Sequence, residues 1–214
     1  DPDTDLKHAG VGPHPHRGFS PVTFVFKGAT HHRDSRGHSH VVEEGGTQWM
    51  HAGMGIIHSE RPASYEMEII QLWINVPSKF KFQQPAYFPL AKNDTPVYFN
   101  HEKTVEIRVV SGSLMGISGP VPSVTPVNAA MLTLQPGGKV FVEIPDDHNC
   151  FIYLLDGKLK VSETREVTGL HMAVFEKNGN GIQLEALEPT RALLMSGEPI
   201  DEKLATHGPF VMNN

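Results

Sequence analysis

The chain has 214 residues, of which 39% are hydrophobic, enough for one large domain or two small ones with apolar cores. A formal net charge of −6 and the lack of any Lys/Arg block argue against direct nucleic acid binding. No apolar run is long enough to predict a membrane span, and a single cysteine excludes an intramolecular disulfide.

Low cysteine content and the lack of a visible export signal favour an intracellular protein. We therefore expect a cytoplasmic location, or a nuclear one in a eukaryote, and a monomer. The chain opens abruptly at DPDTDLKHAG, so the lack of an export signal is weak evidence, and a trimmed start is one expectation. Cys150 is predicted to be a buried, small apolar residue.

Short segments that alternate apolar and polar residues recur along the chain, and nearly all end at Gly, Pro, Asn or Asp. In chain order they are PVTFVFKG, HSHVVEEGG, MEIIQLWINV, TVEIRVVSG, AAMLTLQPGG, KVFVEIP, CFIYLLDGKLKVS, HMAVFEKNG, GIQLEAL and RALLMSGEP. No long segment keeps a helical period of 3.6 residues. The pattern predicts an all-β sandwich or barrel fold.

A faint internal repeat divides the chain into two similar halves. VTFVFKG, which ends at Gly28, resembles CFIYLLDG, which ends at Gly157, and the segments that follow also correspond. Residues 78–96 are rich in proline and polar residues, which is typical of a linker. We therefore predict two tandem β-barrels, residues 1–90 and residues 91–214.

Histidine is unusually abundant, and eight of the thirteen histidines lie between His14 and His58. His14 and His16 share one face if the chain is extended, and so do His58 and Glu60. Two such pairs on neighbouring strands would offer three imidazoles and one carboxylate to one divalent ion, Fe(II), Mn, Ni, Cu or Zn, with open positions left. The repeat aligns His14 with Glu143 and His16 with Pro145, so the site is expected in one barrel only.

Three motifs resemble the pirin family along nearly the whole chain. They are HPHRGF, then H-x-DS-x-GH from His32 to His38, then QWM-x-AG-x-GI-x-HSE from Gln48 to Glu60, and the closing SGEPI and HGPFVMNN also resemble that family. The resemblance implies two cupin barrels of the jelly-roll type, with one metal ion, usually iron, in the first barrel. The family's metal ligands fall on His14, His16, His58 and Glu60.

The resemblance implies two kinds of function. The first is a quercetin 2,3-dioxygenase-type oxidoreductase that acts on a flavonol, in which Glu60 is both a metal ligand and a catalytic proton acceptor. The alternative is a non-enzymatic, iron-dependent regulator that binds a transcription factor or a metabolic enzyme. A sugar-isomerase type of cupin is less favoured, because no basic set could hold a phosphate.

The chain departs from the family pattern at several positions. Ser20 stands where the family commonly has Glu, His51 where it has Thr, and Met54 where it has Arg. EGG at residues 44–46 replaces the family's PGD, and the helical tail after FVMN is missing. We expect His51 at the surface, with a place in the pocket as the alternative.

Other candidate residues have a structural interpretation and a functional one. We interpret His31, His32, His38 and His40 as part of a polar loop in which Asp34 forms a local turn, with adventitious metal binding as the alternative. Trp49, Met50 and Met54 fit either a pocket wall or the core. His148 and His171 lie in the half without ligands and are predicted to be structural.

Overall fold

The structure is a computed structural model that describes residues 9–214, so the opening of the predicted first domain lies outside it. Nearly all of the regular secondary structure in the described chain is β-strand, which confirms the all-β prediction. Two short 3-10 helices interrupt them, Ser78–Phe80 and Lys92–Asp94. Across residues 9–214, no helix has the length and apolar character needed to cross a membrane.

The strands group into two compact units. The first unit comprises the residues up to Asp94 together with Ile200–Asn214, and the second comprises Thr95–Pro199. The strands of the first unit are β1 Val11–His16, β2 Phe19–Lys27, β3 Ala29–Asp34, β4 Ser39–Glu43, β5 Thr47–His51, β6 Ile56–Pro62, β7 Glu68–Asn75 and β8 Ala86–Leu90, with β21 Ala205–His207 and β22 Phe210–Met212.

Two four-stranded antiparallel sheets build the first unit, in the orders β1-β6-β3-β4 and β7-β2-β5-β8. Their inner faces meet, since Thr23 of β2 donates a hydrogen bond to Glu60 of β6, and Tyr87 of β8 stacks on His32 of β3. This interior carries many polar side chains. The buried ones include Thr23, Gln48, His16, His32 and His58.

The second unit has the same arrangement of strands around a different interior. Its strands are β9 Val97–Phe99, β10 Val105–Ser111, β11 Ser113–Leu114, β12 Ile117–Ser118, β13 Val127–Leu134, β14 Lys139–Glu143, β15 Asn149–Asp156, β16 Lys158–Lys160, β17 Glu166–Thr168, β18 Met172–Phe175, β19 Gly181–Ala186 and β20 Thr190–Gly197. The sheet order β14-β19-β16-β17 repeats β1-β6-β3-β4, and β20-β15-β18 repeats β7-β2-β5. Nineteen buried apolar residues fill its interior, so this half has an apolar core.

The structure differs from the predicted division in two segments. Residues 78–96, predicted as a linker, contain strand β8, which pairs with β5 in the first unit. Pro89 is compatible with that strand because β8 lies at the edge of its sheet. The closing segment from Ile200, which we expected in the second barrel, packs with the first unit.

The histidine-rich segment predicted as a loop is mostly a hairpin, and that prediction was wrong. His31 and His32 lie in β3 and His40 lies in β4, because these strands pair antiparallel from Ala29 to Glu43. The local turn predicted for Asp34 is confirmed. Its Oδ1 accepts hydrogen bonds from the backbone N–H groups of Arg36 and His38.

Candidate metal centre

His14 and His16 lie in β1, an edge strand, and their side chains project from the same face of that strand. Pro13 and Pro15 flank them in β1, and proline is tolerated there because β1 has a neighbour, β6, on one side only in its sheet. β1 pairs with β6 so that His14 lies directly opposite His58. The i and i+2 spacing and this register together bring three imidazoles to one place.

The three rings form a compact cluster. Their centroids are 4.7 Å apart for His14 and His16, 4.4 Å for His14 and His58, and 4.9 Å for His16 and His58. One ligand nitrogen from each ring lies within 4.8 Å of the other two. Across residues 9–214, this is the one group of three or more potential ligands that meet so closely.

Burial keeps the imidazoles of His16 and His58 neutral. It lowers the pKa of His58 to about 3, and the neighbouring His14 ring acts in the same direction. Burial also lowers the pKa of His16 to about 4, although the Pro209 carbonyl opposes that shift. Neutral imidazole is the form that binds a metal, so no proton has to leave His16 or His58 near pH 7 before an ion binds.

The nitrogen atoms suit a metal ion. His14 Nδ1 donates to the Gly12 carbonyl at 2.8 Å, which leaves its Nε2 with a lone pair. That Nε2 lies 3.0 Å from His16 Nε2, about the separation of two adjacent nitrogens that share an ion at about 2.1 Å. In the described part of the chain the buried Nε2 of His58 has no hydrogen-bond partner, and an ion would satisfy it.

Glu60 faces the same interior but is held by polar groups of the opposite sheet. Its Oε1 accepts hydrogen bonds from Thr23 Oγ1 at 3.1 Å and from Gln48 Nε2, and its Oε2 accepts one from Gln71 Nε2 at 2.7 Å. The carboxylate is not in the close group formed by the histidines of the described chain. Tyr87 donates to Gln48 Oε1, which turns the amide N–H group of Gln48 toward Glu60.

A row of hydrogen-bonded polar side chains lies behind His58, and sequence reasoning missed it. His58 Nδ1 is 3.4 Å from His32 Nδ1, and His32 Nε2 is 3.0 Å from Asp34 Oδ2. Burial alone would raise the pKa of Asp34, but hydrogen bonds from His32 and His38 and from the backbone lower it to about 2. The signal was the i and i+2 spacing of His32 and Asp34, the same spacing that identified His14 and His16.

The remaining candidates in the first unit divide into core and surface. His51 is only 6% exposed, so its predicted surface position was wrong; its Nδ1 lies 3.2 Å from Ser20 Oγ. Trp49 and Met50 are buried in the core, whereas Met54 is exposed. Trp49 and Met50 are therefore core residues of β5, the strand that also carries Gln48.

The candidates in the second unit have structural surroundings. Cys150 is buried, as predicted, and burial raises the pKa of its thiol to about 12. His148 Nδ1 lies 3.1 Å from the buried Ser196 hydroxyl, and His171 sits in a turn beside Thr168.

Family models match both ends of the chain. The pirin model matches residues 2–74, and the model of the pirin C-terminal cupin domain matches residues 129–214. Pirin-1 of Arabidopsis thaliana is 38% identical over 96% of this chain and 73% of its own length. Pirin-like protein 2 of the same plant is also 38% identical, and the chain spans 66% of its length.

Solved structures agree with these matches. A crystal structure of quercetin 2,3-dioxygenase from Acinetobacter baumannii is 33% identical, with a TM-score of 0.91 over 96% of this chain and 73% of that chain. The bacterial pirin YhhW of Escherichia coli, solved in complex with nickel(II), shares the fold at 20% identity, with a TM-score of 0.74 over 90% of this chain and 78% of that one. The chain thus belongs to the pirin family and carries two cupin domains.

Proposed function

We propose that this protein is a metal-dependent, quercetin 2,3-dioxygenase-type oxidoreductase that acts on a flavonol. His14, His16 and His58 would hold one divalent ion, Fe(II) in the first place and Mn, Ni, Cu or Zn as alternatives, and Glu60 would be the fourth ligand. The observation that carries the proposal is the meeting of three imidazole nitrogens within 4.8 Å in one barrel interior. The likeness to a solved quercetin 2,3-dioxygenase at 33% identity supports it.

When bound, the ion would supply open coordination positions for a substrate oxygen and for dioxygen. The protein's own contribution begins with charge. Three neutral imidazoles and one carboxylate would leave a divalent ion with a net positive charge, so the site favours an anionic oxygen such as the enolate of a flavonol. A carboxylate beside them, that of Glu60, is the natural acceptor for the hydroxyl proton that the flavonol must lose.

Glu60 can take both roles because its present partners are neutral. Gln48, Gln71 and Thr23 each donate a hydrogen bond to it. As a ligand, Glu60 would exchange one amide partner for the ion. As a base, it would accept the substrate proton while the remaining amide holds its position.

An aromatic face lies beside the cluster. Trp73 is 49% exposed, and its ring centroid lies 5.2 Å from that of His16 and 4.5 Å from that of Phe19. A flat, aromatic substrate could stack on this indole while its oxygen reaches the ion. Trp73→Ala is therefore expected to raise KM for quercetin more than it lowers kcat.

The test is oxygen uptake with quercetin by protein loaded in turn with Fe(II), Mn, Ni and Cu. We expect uptake to parallel the loss of quercetin absorbance with at least one metal, and to disappear in His58→Ala and in Glu60→Gln. The exposed His171→Ala is the matched control and is expected to keep full activity. Protein that binds each metal and consumes no oxygen with any of them would overturn the proposal.

A further inference from the structure

The hydrogen bonds behind His58 form a continuous chain from a buried carboxylate to the metal-facing ring. The register of β3 against β6 places Asp34 opposite His58, and His32 opposite Glu60. His32 and Asp34 therefore point into the same interior as the proposed ligands. The side chain of Asp34 is fully buried, and that of His32 is 1% exposed.

The direction of each hydrogen bond in this chain follows from Asp34. A carboxylate can only accept, so the proton on His32 Nε2 is donated to Asp34 Oδ2. In a neutral ring His32 Nδ1 is then an acceptor, and His58 Nδ1 must carry the proton between them. His58 Nε2 is consequently left with its lone pair, and this is the atom that has no other partner among the described residues.

Further contacts hold His32 and Asp34 in place. Tyr87 stacks on the His32 ring with centroids 4.0 Å apart and planes inclined by 7°, which fixes the ring plane. Asp34 accepts four hydrogen bonds in all: Oδ1 takes the backbone N–H groups of Arg36 and His38, and Oδ2 takes the rings of His32 and His38. A carboxylate held in this way cannot rotate without losing several partners.

We propose that Asp34 and His32 are positioning residues of the metal centre, whose hydrogen-bonded chain holds His58 in the tautomer that presents the Nε2 lone pair to the ion. This inference rests on the proposed function, because the hydrogen bonds from Asp34 through His32 can position a metal ligand only if His58 binds a metal. Partners that orient a metal-binding histidine in this way typically change metal affinity by 10- to 100-fold when they are removed.

Asp34→Asn tests the direction of the chain. The two backbone N–H groups at Oδ1 keep the amide oxygen there, so the amide nitrogen takes the place of Oδ2. It can donate to His32 Nε2 but cannot accept from it, which reverses both hydrogen bonds and leaves the proton on His58 Nε2. We expect Ni²⁺ affinity to fall by about 10- to 100-fold.

His32→Phe tests the same link with little change in packing. Phenylalanine can keep the stack on Tyr87 but cannot hydrogen-bond to His58, so the tautomer of His58 is no longer fixed. Ni²⁺ affinity is again expected to fall at least about tenfold. His31→Gln is the matched control: His31 Nε2 lies 3.0 Å from Ser39 Oγ at the exposed side of the hairpin, outside the hydrogen bonds that link Asp34 to His58, and the Ni²⁺ affinity of this variant should equal that of the unmodified protein.

Two measurements separate the inference from the proposed function. Calorimetric titration with Ni²⁺ alone gives the affinity, and two-bond 1H–15N spectra of the metal-free protein show which ring nitrogen of His58 is protonated. A proton on Nδ1 that moves to Nε2 in Asp34→Asn supports the inference, and a proton on Nε2 in the unmodified protein overturns it, whether or not any variant folds.

The affinity measurements have equally distinct outcomes. If the folded His32→Phe and Asp34→Asn proteins bind Ni²⁺ as tightly as the unmodified protein, the positioning role is wrong and the proposed metal site stands. If the unmodified protein binds none of the metals, the proposed function fails. The tautomer of His58 would then still decide whether the hydrogen-bonded chain runs in the stated direction.

Discussion

Ser20 and His51, two positions at which the chain departs from the family pattern, contact each other in the interior of the first unit. Ser20 Oγ lies 3.2 Å from His51 Nδ1, and both side chains are buried. The two departures therefore form one local contact, between a hydroxyl and an imidazole.

Ser20→Ala is expected to lower the free energy of unfolding by about 1–3 kcal/mol, because a buried imidazole nitrogen loses its partner. Urea denaturation followed by circular dichroism measures the loss. The exposed Ser118→Ala is the control and should change stability by less than about 0.5 kcal/mol. Equal stability of the two variants would contradict a role for the Ser20 contact.

The buried histidines predict acid sensitivity in the metal-free protein. Unfolded histidines take up protons near pH 6.5, whereas folded His16 and His58 resist protonation until about pH 4 and about pH 3. Protons therefore favour the unfolded chain, so stability is full above pH 6.5 and falls as the pH drops toward those values. Thermal unfolding of metal-free protein at a series of pH values measures this.

A variant that lacks one of these buried histidines provides a control for the predicted pH dependence. His58→Asn cannot bind the proton in the unfolded chain, so its unfolding midpoint should fall less steeply with decreasing pH. A midpoint that stays constant from pH 6.5 to pH 4 in the unmodified, metal-free protein would show that the rings are not buried in neutral form.

At the scale of elements, the same strand arrangement encloses a polar site in one unit and an apolar core in the other. Thr23 and Gln71 form a cross-strand pair in the first unit, and Ile152 and Leu194 form the corresponding pair in the second. The registers of β6 against β3 and of β19 against β16 place Ile182, which is buried, at the position that His58 occupies in the first unit. Exchange of inward-facing residues thus decides which barrel can hold an ion, while the strands stay the same.

The glycines that mark the repeat are structural equivalents. Gly28 and Gly157 both follow a long strand and have φ values of +77° and +81°. A Cβ at Gly157 would lie 2.2 Å from the Pro189 carbonyl oxygen, whereas at Gly137, with φ of +80°, it would meet no atom within 4 Å. Substitutions at Gly137 and Gly157 therefore distinguish the cost of backbone strain alone from the cost of backbone strain with steric overlap.

We expect Gly137→Ala to lower the free energy of unfolding by about 1–2 kcal/mol, the cost of a left-handed alanine. Gly157→Ala should cost clearly more, since the Pro189 backbone must also move. Urea denaturation of both variants measures the difference. Losses of the same size would mean that the close approach at Gly157 relaxes without cost.

The sequence predicts most of the fold but only part of the candidate site. The reason is that some features depend on local patterns and others on the register between strands. Alternation and turn residues predict strands because both are local properties, and the spacing of His14 and His16 fixes their common face. The link from His32 to His58 depends on the register of β3 against β6, which no local pattern encodes. The strand β8 was missed because Pro89 reads as a linker residue unless the strand is known to be an edge.

At the scale of the whole molecule, the chain passes through the second unit and returns to the first. There β21 and β22 form a hairpin, the Arg17 N–H donates to the Pro209 carbonyl at 3.4 Å, and the Val211 N–H donates to the Arg17 carbonyl at 3.0 Å. The Lys81 ammonium completes the join, since it donates to the carbonyls of Gly18 and Val211 and to Asn75 Oδ1.

Lys81→Met is expected to destabilise the first unit by about 1–3 kcal/mol, because buried carbonyl oxygens lose a donor that they share. The exposed Lys79→Met is the matched control; it loses only the contact of its ammonium with the Phe80 ring, 4.8 Å from the centroid, and should change stability by no more than about 1 kcal/mol. Urea unfolding of both measures the effect. If Lys81→Met unfolds at the same urea concentration as Lys79→Met, the ammonium contributes nothing to the join.

The hairpin at the carboxyl end therefore braces the turn that follows His16, although the two lie at opposite ends of the sequence. A substitution that disrupts β21 or β22 should therefore weaken metal binding by the proposed ligand His16, although neither strand contributes a ligand.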